Sequence, residues 1–377
     1  MSMSRTYLDY NATSPLLPEA REAMVGALDA TGNPSSVHGE GRTARKVVED
    51  AREKVAALVG AKAKNIVFTS GATEANAWAL SRKWDMIFLP KIEHDSVLAS
   101  ARLSGADIAE IDADTTGQAR IEQIGERLLT STATAGRQLV TLQIANNETG
   151  VVQPVTETAD FCEEHGLALH IDAVQGAGRT NIEFDLLGAE TMAISSHKLG
   201  GPMGVGALVL KDGLEISPLI VGGGQEKRRR AGTENVAGIA GFGAAAEIAL
   251  NNLGNMVRLR QLRDRLEHAL LSTTPSAQII GTDGPRLANT TCVALKGQSS
   301  EILLIKFDLA GIAVSSGSAC SSGKVGASHV LTAMGISSEL SRSAIRISLG
   351  WNTSAVDIDT FVGVWSEIMA GGARAVA

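Results

Sequence analysis

Short apolar runs alternate along this chain with stretches whose apolar residues recur at helical spacing, and that rhythm predicts the order of elements. Strand-like runs fall at Tyr7–Tyr10, Asn65–Thr69, Met86–Leu89, Ile108–Ile111, Leu139–Ile144, Leu167–Ile171, Met192–Ser195 and Val205–Leu210. Helical patterns begin at Ala72 and Asp95 and cover Thr156–His165. Strands interleaved with helices imply the α/β class, with a mostly parallel sheet carrying helices on both faces. Such sheets present ligands at the carboxyl ends of their strands, so the residues just beyond these runs are the candidates for chemistry.

The texture changes after Asn235. Val236–Leu250 is apolar but built from Ala and Gly and interrupted by Glu247, which falls short of a membrane span and reads as a buried helix. A charged amphipathic helix, Met256–Leu271, follows and sets a boundary near residue 255. The remainder reads as a compact α+β lobe: strand-like Thr290–Leu295, helix Glu301–Leu309, strand Ala344–Leu349 and helix Val356–Met369.

Composition narrows the partners. A chain of 377 residues exceeds one ordinary hydrophobic core, which agrees with two lobes. A net charge of -7 counts against nucleic acid or an anionic membrane as the main partner. Cys162, Cys292 and Cys320 form an odd set without paired spacing, so no disulfide framework is implied and a reducing compartment fits. The amino terminus enters its first strand with neither an apolar signal core nor an Arg-rich leader, and a cytoplasmic location is expected.

Against that frame of elements, a few residues stand out. Lys198 lies in Ser195-Ser196-His197-Lys198-Leu199-Gly200-Gly201-Pro202, after an apolar strand and before glycines that can turn its amine into a pocket. Asp172 ends the strand His170-Ile171-Asp172, with Gln175 close behind. An amine that can hold an aldehyde and a carboxylate that can keep a pyridine nitrogen protonated are the two groups a pyridoxal phosphate (PLP) enzyme needs. Ser70-Gly71-Ala72-Thr73-Glu74 runs from a strand into a helix, where free backbone N–H groups and the Thr73 hydroxyl suit a phosphate; an ordinary capped turn is the plainer reading. His94, also beyond a strand, suits ring stacking and proton exchange, or simply a helix cap. Arg346 is a charge inside an apolar strand and demands a partner: a substrate carboxylate or an internal salt bridge.

Cys320 sits in Ser315-Ser316-Gly317-Ser318-Ala319-Cys320-Ser321-Ser322-Gly323, where no large side chain accounts for a buried thiol. A thiol on such a loop can approach a bound substrate and then face outward. Cys162 and His165, at helical spacing, read as a helix face and not as metal ligands, and Cys292 reads as structural. The run Gly222–Thr233 joins a glycine-rich bend to a basic stretch, either a solvated face or a segment reaching a phosphate across a subunit boundary.

Taken together these motifs resemble the cysteine desulfurases of the NifS/IscS type, a branch of the class V, aspartate aminotransferase fold family of PLP enzymes. The resemblance spans Tyr7–Thr13 to Ser348–Gly350 and rests on Gly-Ala-Thr-Glu at Gly71–Glu74, His94, Asn146-Asn147-Glu148, Asp172 with Gln175, His197-Lys198, the Gly-Gly-Gly-Gln-Glu run and the Ser-rich approach to Cys320. It implies fold type I: a large PLP-binding domain, residues 15–255, with a mostly parallel seven-stranded sheet, and a small α+β domain of residues 1–14 and 256–377 that carries the cysteine loop. It further implies that Lys198 binds PLP, Asp172 pairs with the ring nitrogen, Gln175 contacts the ring hydroxyl and His94 stacks on the ring and moves protons. Ala72, Thr73, Ser195 and His197 would hold the phosphate, with Thr233 arriving from the second subunit of a homodimer. Asn147, Arg346 and Asn11 would bind the substrate, and Cys320 would carry the sulfur.

The implied reaction converts L-cysteine to L-alanine and passes a Cys320 persulfide to an acceptor, such as an iron–sulfur scaffold or a tRNA-thiolation enzyme. The resemblance also admits an iron–sulfur cluster ligated transiently through Cys320. A selenocysteine lyase, an aminotransferase or a non-catalytic assembly platform are the alternatives. Lys227 and Arg228 stand where an arginine and a glycine are common, and Met203 replaces a frequent lysine. The chain ends at Ala377, without the longer tail that IscS-like members use to dock a scaffold.

Overall fold

The computed structural model describes residues 5–130, 136–317 and 327–374. After a short strand, β1 (Thr6–Tyr7), the chain builds one large sheet from β2 (Ile66–Thr69), β3 (Met86–Pro90), β4 (Asp107–Ile111), β5 (Gln138–Gln143), β6 (Ala168–Asp172), β7 (Thr191–Ser195) and β8 (Gly206–Leu210). Its spatial order is β2-β8-β7-β6-β5-β3-β4. Every pair is parallel except those made by β8, which runs against both β2 and β7. The mostly parallel seven-stranded sheet expected from the sequence is present.

Alternation along the strands explains why helices cover both faces. Ile66 and Phe68 face one apolar layer while Val67 faces the other; Phe88 faces the first, Ile87 and Leu89 the second. The first layer is closed by helices Gly39–Leu58, Val155–His165 and Val236–Asn251, and the second by Ala72–Leu80 and Asp95–Leu103. Among the described residues no single helix is long and apolar enough to cross a membrane.

The C-terminal part adds an antiparallel sheet, ordered β12 (Ser315–Ser316), β13 (Ile345–Ser348), β10 (Thr290–Ala294) and β9 (Gln278–Ile280), while β11 (Ile312–Ala313) pairs in parallel with β1. Ile345 and Ile347 of β13 enter an apolar cluster with Leu8, Leu266, Phe307, Phe361 and Trp365, in which the Phe307 and Phe361 rings stack at 4.8 Å. Strand period 2 therefore turns Arg346 to the opposite face of this sheet.

Candidate active site

The carboxyl ends of the central strands open into one cavity of about 510 Å³. Gln143 closes β5, Asp172 closes β6 and Ser195 closes β7, and all three line it. From β7 the chain turns through Ser196–Lys198 and a glycine-rich reversal into β8. Gly200 (φ 88) and Gly204 (φ 77) hold left-handed conformations that a side chain would resist, and the reversal they permit leaves Lys198 at the cavity wall. Gly206, at the start of β8, lies so close to the Gly71 turn that a Cβ would meet its backbone at 2.7 Å. That absence of a side chain lets the Ser70–Glu74 turn face the same space.

The segment Asn11–Thr13 forms another wall. Lys198 Nζ donates to the carbonyls of Asn11 (2.7 Å) and Ala12 (2.9 Å). The His197 ring bonds to Thr13 Oγ1 at 3.0 Å, and burial, with the Lys198 charge next to it, pushes its pKa down to about 4. His197 is therefore neutral at physiological pH.

Asp172 is buried and held from two sides. Its Oδ1 accepts from Val174 N (2.9 Å) and its Oδ2 from Asn76 Nδ2 (2.8 Å). His94 caps the helix Asp95–Leu103: its Nδ1 accepts from Ser96 N (3.1 Å) and meets Ser96 Oγ at 2.8 Å, which leaves the ring hydrogen on Nε2. The capping histidine also lines the cavity.

Arg346 forms the internal salt bridge and also lines the cavity. Nη2 pairs with Asp9 at 2.7 Å and Nη1 donates to Asn147 O at 3.0 Å, while its buried Nε has no hydrogen-bond partner among the described residues. Asn11 lines the cavity as well, and its amide is engaged within the protein. Its Nδ2 donates to Asn147 O (3.2 Å) and Thr290 Oγ1 (2.9 Å), and its Oδ1 accepts from Arg179 (2.9 Å) and Asn289 (3.1 Å). With both hydrogens and both lone pairs engaged, the Asn11 amide ties Asn147 and Arg179 to Asn289 and Thr290. Gln175 is drawn inward too, donating to Asn11 O at 3.1 Å.

Ala72, Thr73 and Asn147 line the same cavity, with Thr73 exposed at its rim. Thr233 does not; it is exposed and belongs to no wall of the cavity in this chain. Cys320 lies outside the described residues. The other two thiols are buried, and burial pushes both up to about 12, so neither supplies a thiolate near neutral pH.

Residues not singled out from the sequence complete the site. His170, two residues before Asp172, bonds through Nε2 to Asn76 Oδ1 (3.0 Å) and through Nδ1 to Thr191 Oγ1 (2.8 Å), and burial pushes its pKa down to about 4. Neutral His170 thus fixes the amide that fixes Asp172. The i, i+2 spacing on β6, which puts His170 and Asp172 on one side of the sheet, was the available signal.

Residues 6–361 match the profile of the aminotransferase class-V family. The chain belongs to that family. Among curated relatives of this class-V protein, a cysteine desulfurase of Cereibacter sphaeroides is 42% identical, with 97% of this chain and 96% of the relative covered. The cysteine desulfurase IscS of Dictyoglomus turgidum is 39% identical, covering 96% and 94%. Among solved structures, the NifS-like protein of Rickettsia africae superposes with a TM-score of 0.90 at 35% identity over 97% and 99% of the two chains. A structure of SspA in complex with cysteine gives a TM-score of 0.78 at 29% identity over 91% and 98%.

PLP is the cofactor of this family, and the residues present fit it. The donor set has the required chemistry: an amine at Lys198, a braced carboxylate at Asp172, and a helix N-terminus whose turn is brought close by the missing side chain of Gly206.

Proposed function

We propose that this protein is a PLP-dependent cysteine desulfurase that moves the sulfur of L-cysteine onto Cys320. The observation that carries the reading is the pairing of Ser315 with Arg346 between β12 and β13. It ties the start of the Cys320 segment to the strand whose arginine lines the Lys198 cavity. The cysteine bound in the structure of SspA supports the same substrate.

In this reading Lys198 would hold the cofactor, Asp172 would keep its ring nitrogen protonated, and Ala72, Thr73, Ser195 and His197 would hold its phosphate. The cofactor supplies an electron sink for charge developing at the substrate Cα. Arg346 and Asn147, which line the cavity, would orient the substrate carboxylate. Lys198 takes the Cα proton, and His94 moves protons at Nε2. The Cys320 thiolate attacks the substrate sulfur: the Cβ–S bond breaks, an S–S bond forms, and the substrate Cβ takes up a proton to become the alanine methyl. Sulfur is oxidised to the sulfane level as Cβ is reduced, so no external redox partner is required. The persulfide then passes to an acceptor protein.

A homodimer completes the phosphate site. Thr233 is exposed and away from this chain's own cavity, and the nearby Leu219, Ile220 and Val221 are exposed apolar residues on the approach to it. The two-lobe division at residues 15 and 255 belongs to the same proposal.

The test is to incubate the purified holoenzyme with L-cysteine and to follow alanine, Cys320 persulfide and keto acid together. Alanine and persulfide in equal first-turnover amounts are expected, with both lost in Cys320→Ser. A keto acid product, or full alanine turnover in that variant, overturns the reading.

A further inference from the structure

Glu148 is buried and takes no part in the chemistry above, but the two ends of the Cys320 segment meet at its carboxyl group. On the entry side, β12 hydrogen-bonds to β13 and delivers Gly317 against this group: a Cβ at position 317 would lie 3.1 Å from Glu148 Oε2. On the exit side, Ser328 Oγ donates to the same Oε2 at 2.5 Å while accepting from Leu331 N at 3.1 Å, so one hydroxyl both caps the helix His329–Ala333 and grips Glu148. The next residue, His329, donates from Nε2 to the carbonyl of Glu93 at 3.0 Å, on the turn that carries His94.

The backbone at Glu148 is held by Asn146. Asn146 Oδ1 accepts from the backbone N–H of Glu148 (2.9 Å) and of Thr149 (3.0 Å), and its Nδ2 donates to Ile92 O at 3.1 Å. Glu148 is also the neighbour of Asn147, which lines the cavity. One buried carboxyl therefore joins the root of the Cys320 segment to the substrate wall.

From this we infer that Glu148 is a positioning residue for sulfur transfer: through Ser328 on one side and the close approach of Gly317 on the other, it fixes where the Cys320 segment starts and ends relative to the cavity. The inference rests on the proposed role of Cys320 and goes beyond it.

The experiment uses holoenzyme with Glu148→Ala, Glu148→Gln and Ser328→Ala, and three readouts. These are the absorbance change on adding L-cysteine, the first-turnover rate of alanine formation, and hydrogen exchange of the 317–328 peptide. Glu148→Ala and Ser328→Ala are expected to keep the absorbance response, to slow sulfur transfer roughly tenfold to a hundredfold, and to speed exchange in that peptide. Glu148→Gln, whose amide oxygen can still accept from Ser328, is expected to restore transfer to within about threefold of the parent, a loss below 1 kcal/mol. Unchanged transfer and exchange in Glu148→Ala overturn the inference, and so does a lost absorbance response in all three variants, which assigns Glu148 to the cofactor site instead. Full turnover in Cys320→Ser sinks the desulfurase reading separately, because exchange of the peptide is read without reference to the reaction.

Discussion

Asn76, on the helix Ala72–Leu80, donates to the Asp172 carboxylate at 2.8 Å and receives the His170 Nε2 hydrogen bond at 3.0 Å on the other end of the same amide. Its second Nδ2 hydrogen reaches Ser96 Oγ at 2.9 Å, and Ser96 in turn holds His94. A single asparagine thus couples the group proposed to face the ring nitrogen to the histidine proposed to stack on the ring.

Removing that coupling should weaken cofactor binding more than it disturbs the fold. A hydrogen bond to a charged group contributes about 1.5–3 kcal/mol, so Asn76→Ala is expected to raise the PLP dissociation constant roughly tenfold to a hundredfold. Titration of apoprotein with PLP, followed by its visible band, measures this. An unchanged constant with an intact circular dichroism spectrum refutes the role given to Asn76.

Two buried groups should give the stability of the protein opposite pH slopes. His170 is pushed down to about 4 from an ordinary value of 6.5, so between those values the unfolded chain binds a proton that the native state refuses. Stability is therefore lost as pH falls from 6.5 toward 4. Glu148 is pushed up to about 7 from 4.5, mainly by burial, with Asp95 adding to the rise and Ser328, Arg346 and His94 opposing it. Here the native state keeps a proton that the unfolded chain has lost, so stability falls as pH rises from 4.5 to 7. Each effect is at most about 3.4 kcal/mol over its window. Unfolding midpoints measured from pH 4 to 8 should lose the acid-side slope in His170→Gln and the slope toward neutrality in Glu148→Gln. Parallel profiles for both variants and the parent contradict the assignment.

The strands that carry the site were legible because each is a short apolar run ended by a polar residue, and Asp172, Ser195 and Lys198 could be placed at sheet ends on that basis alone. Helices were read less completely. Gly39–Leu58 was not anticipated, although Ala44, Val48, Ala51, Val55 and Leu58 make a buried stripe at helical spacing. Its signal is muted by alanines and by the charges between them. Pro18–Leu28, Glu122–Thr130 and the edge strand β9 were missed for a related reason, since short segments with few large apolar residues give weak periodicity. Inside the site, the roles of Asn11, Asn76 and Glu148 were not legible: their partners lie far away in sequence, such as Asn289 for Asn11 and Ser328 for Glu148. Side chains of that kind acquire meaning only when distant segments of the chain meet.

The segment after Gly224 supplies the last prediction, because it stores backbone strain at three consecutive residues that are not glycine. Glu226, Lys227 and Arg228 have φ of 45°, 57° and 66°, in the left-handed region. What holds them is the Glu226 carboxylate, buried and paired with Arg52 at 2.7 Å and 2.9 Å while it accepts from Phe68 N at 3.0 Å. The Arg228 side chain is exposed, so its backbone strain is the larger consideration there. Left-handed geometry costs a side-chain-bearing residue about 1–2 kcal/mol, and glycine's extra freedom in the unfolded chain returns part of that. Arg228→Gly is therefore expected to stabilise the protein by about 0.5–1 kcal/mol. Glu226→Gly relieves the same backbone strain but strands Arg52 as a buried charge, and should destabilise by about 3–5 kcal/mol. Thermal unfolding of the two variants should move in opposite directions from the parent. If both rise, the Arg52–Glu226 pair is not what holds this turn; if both fall, the left-handed backbone at Arg228 carries no strain to release.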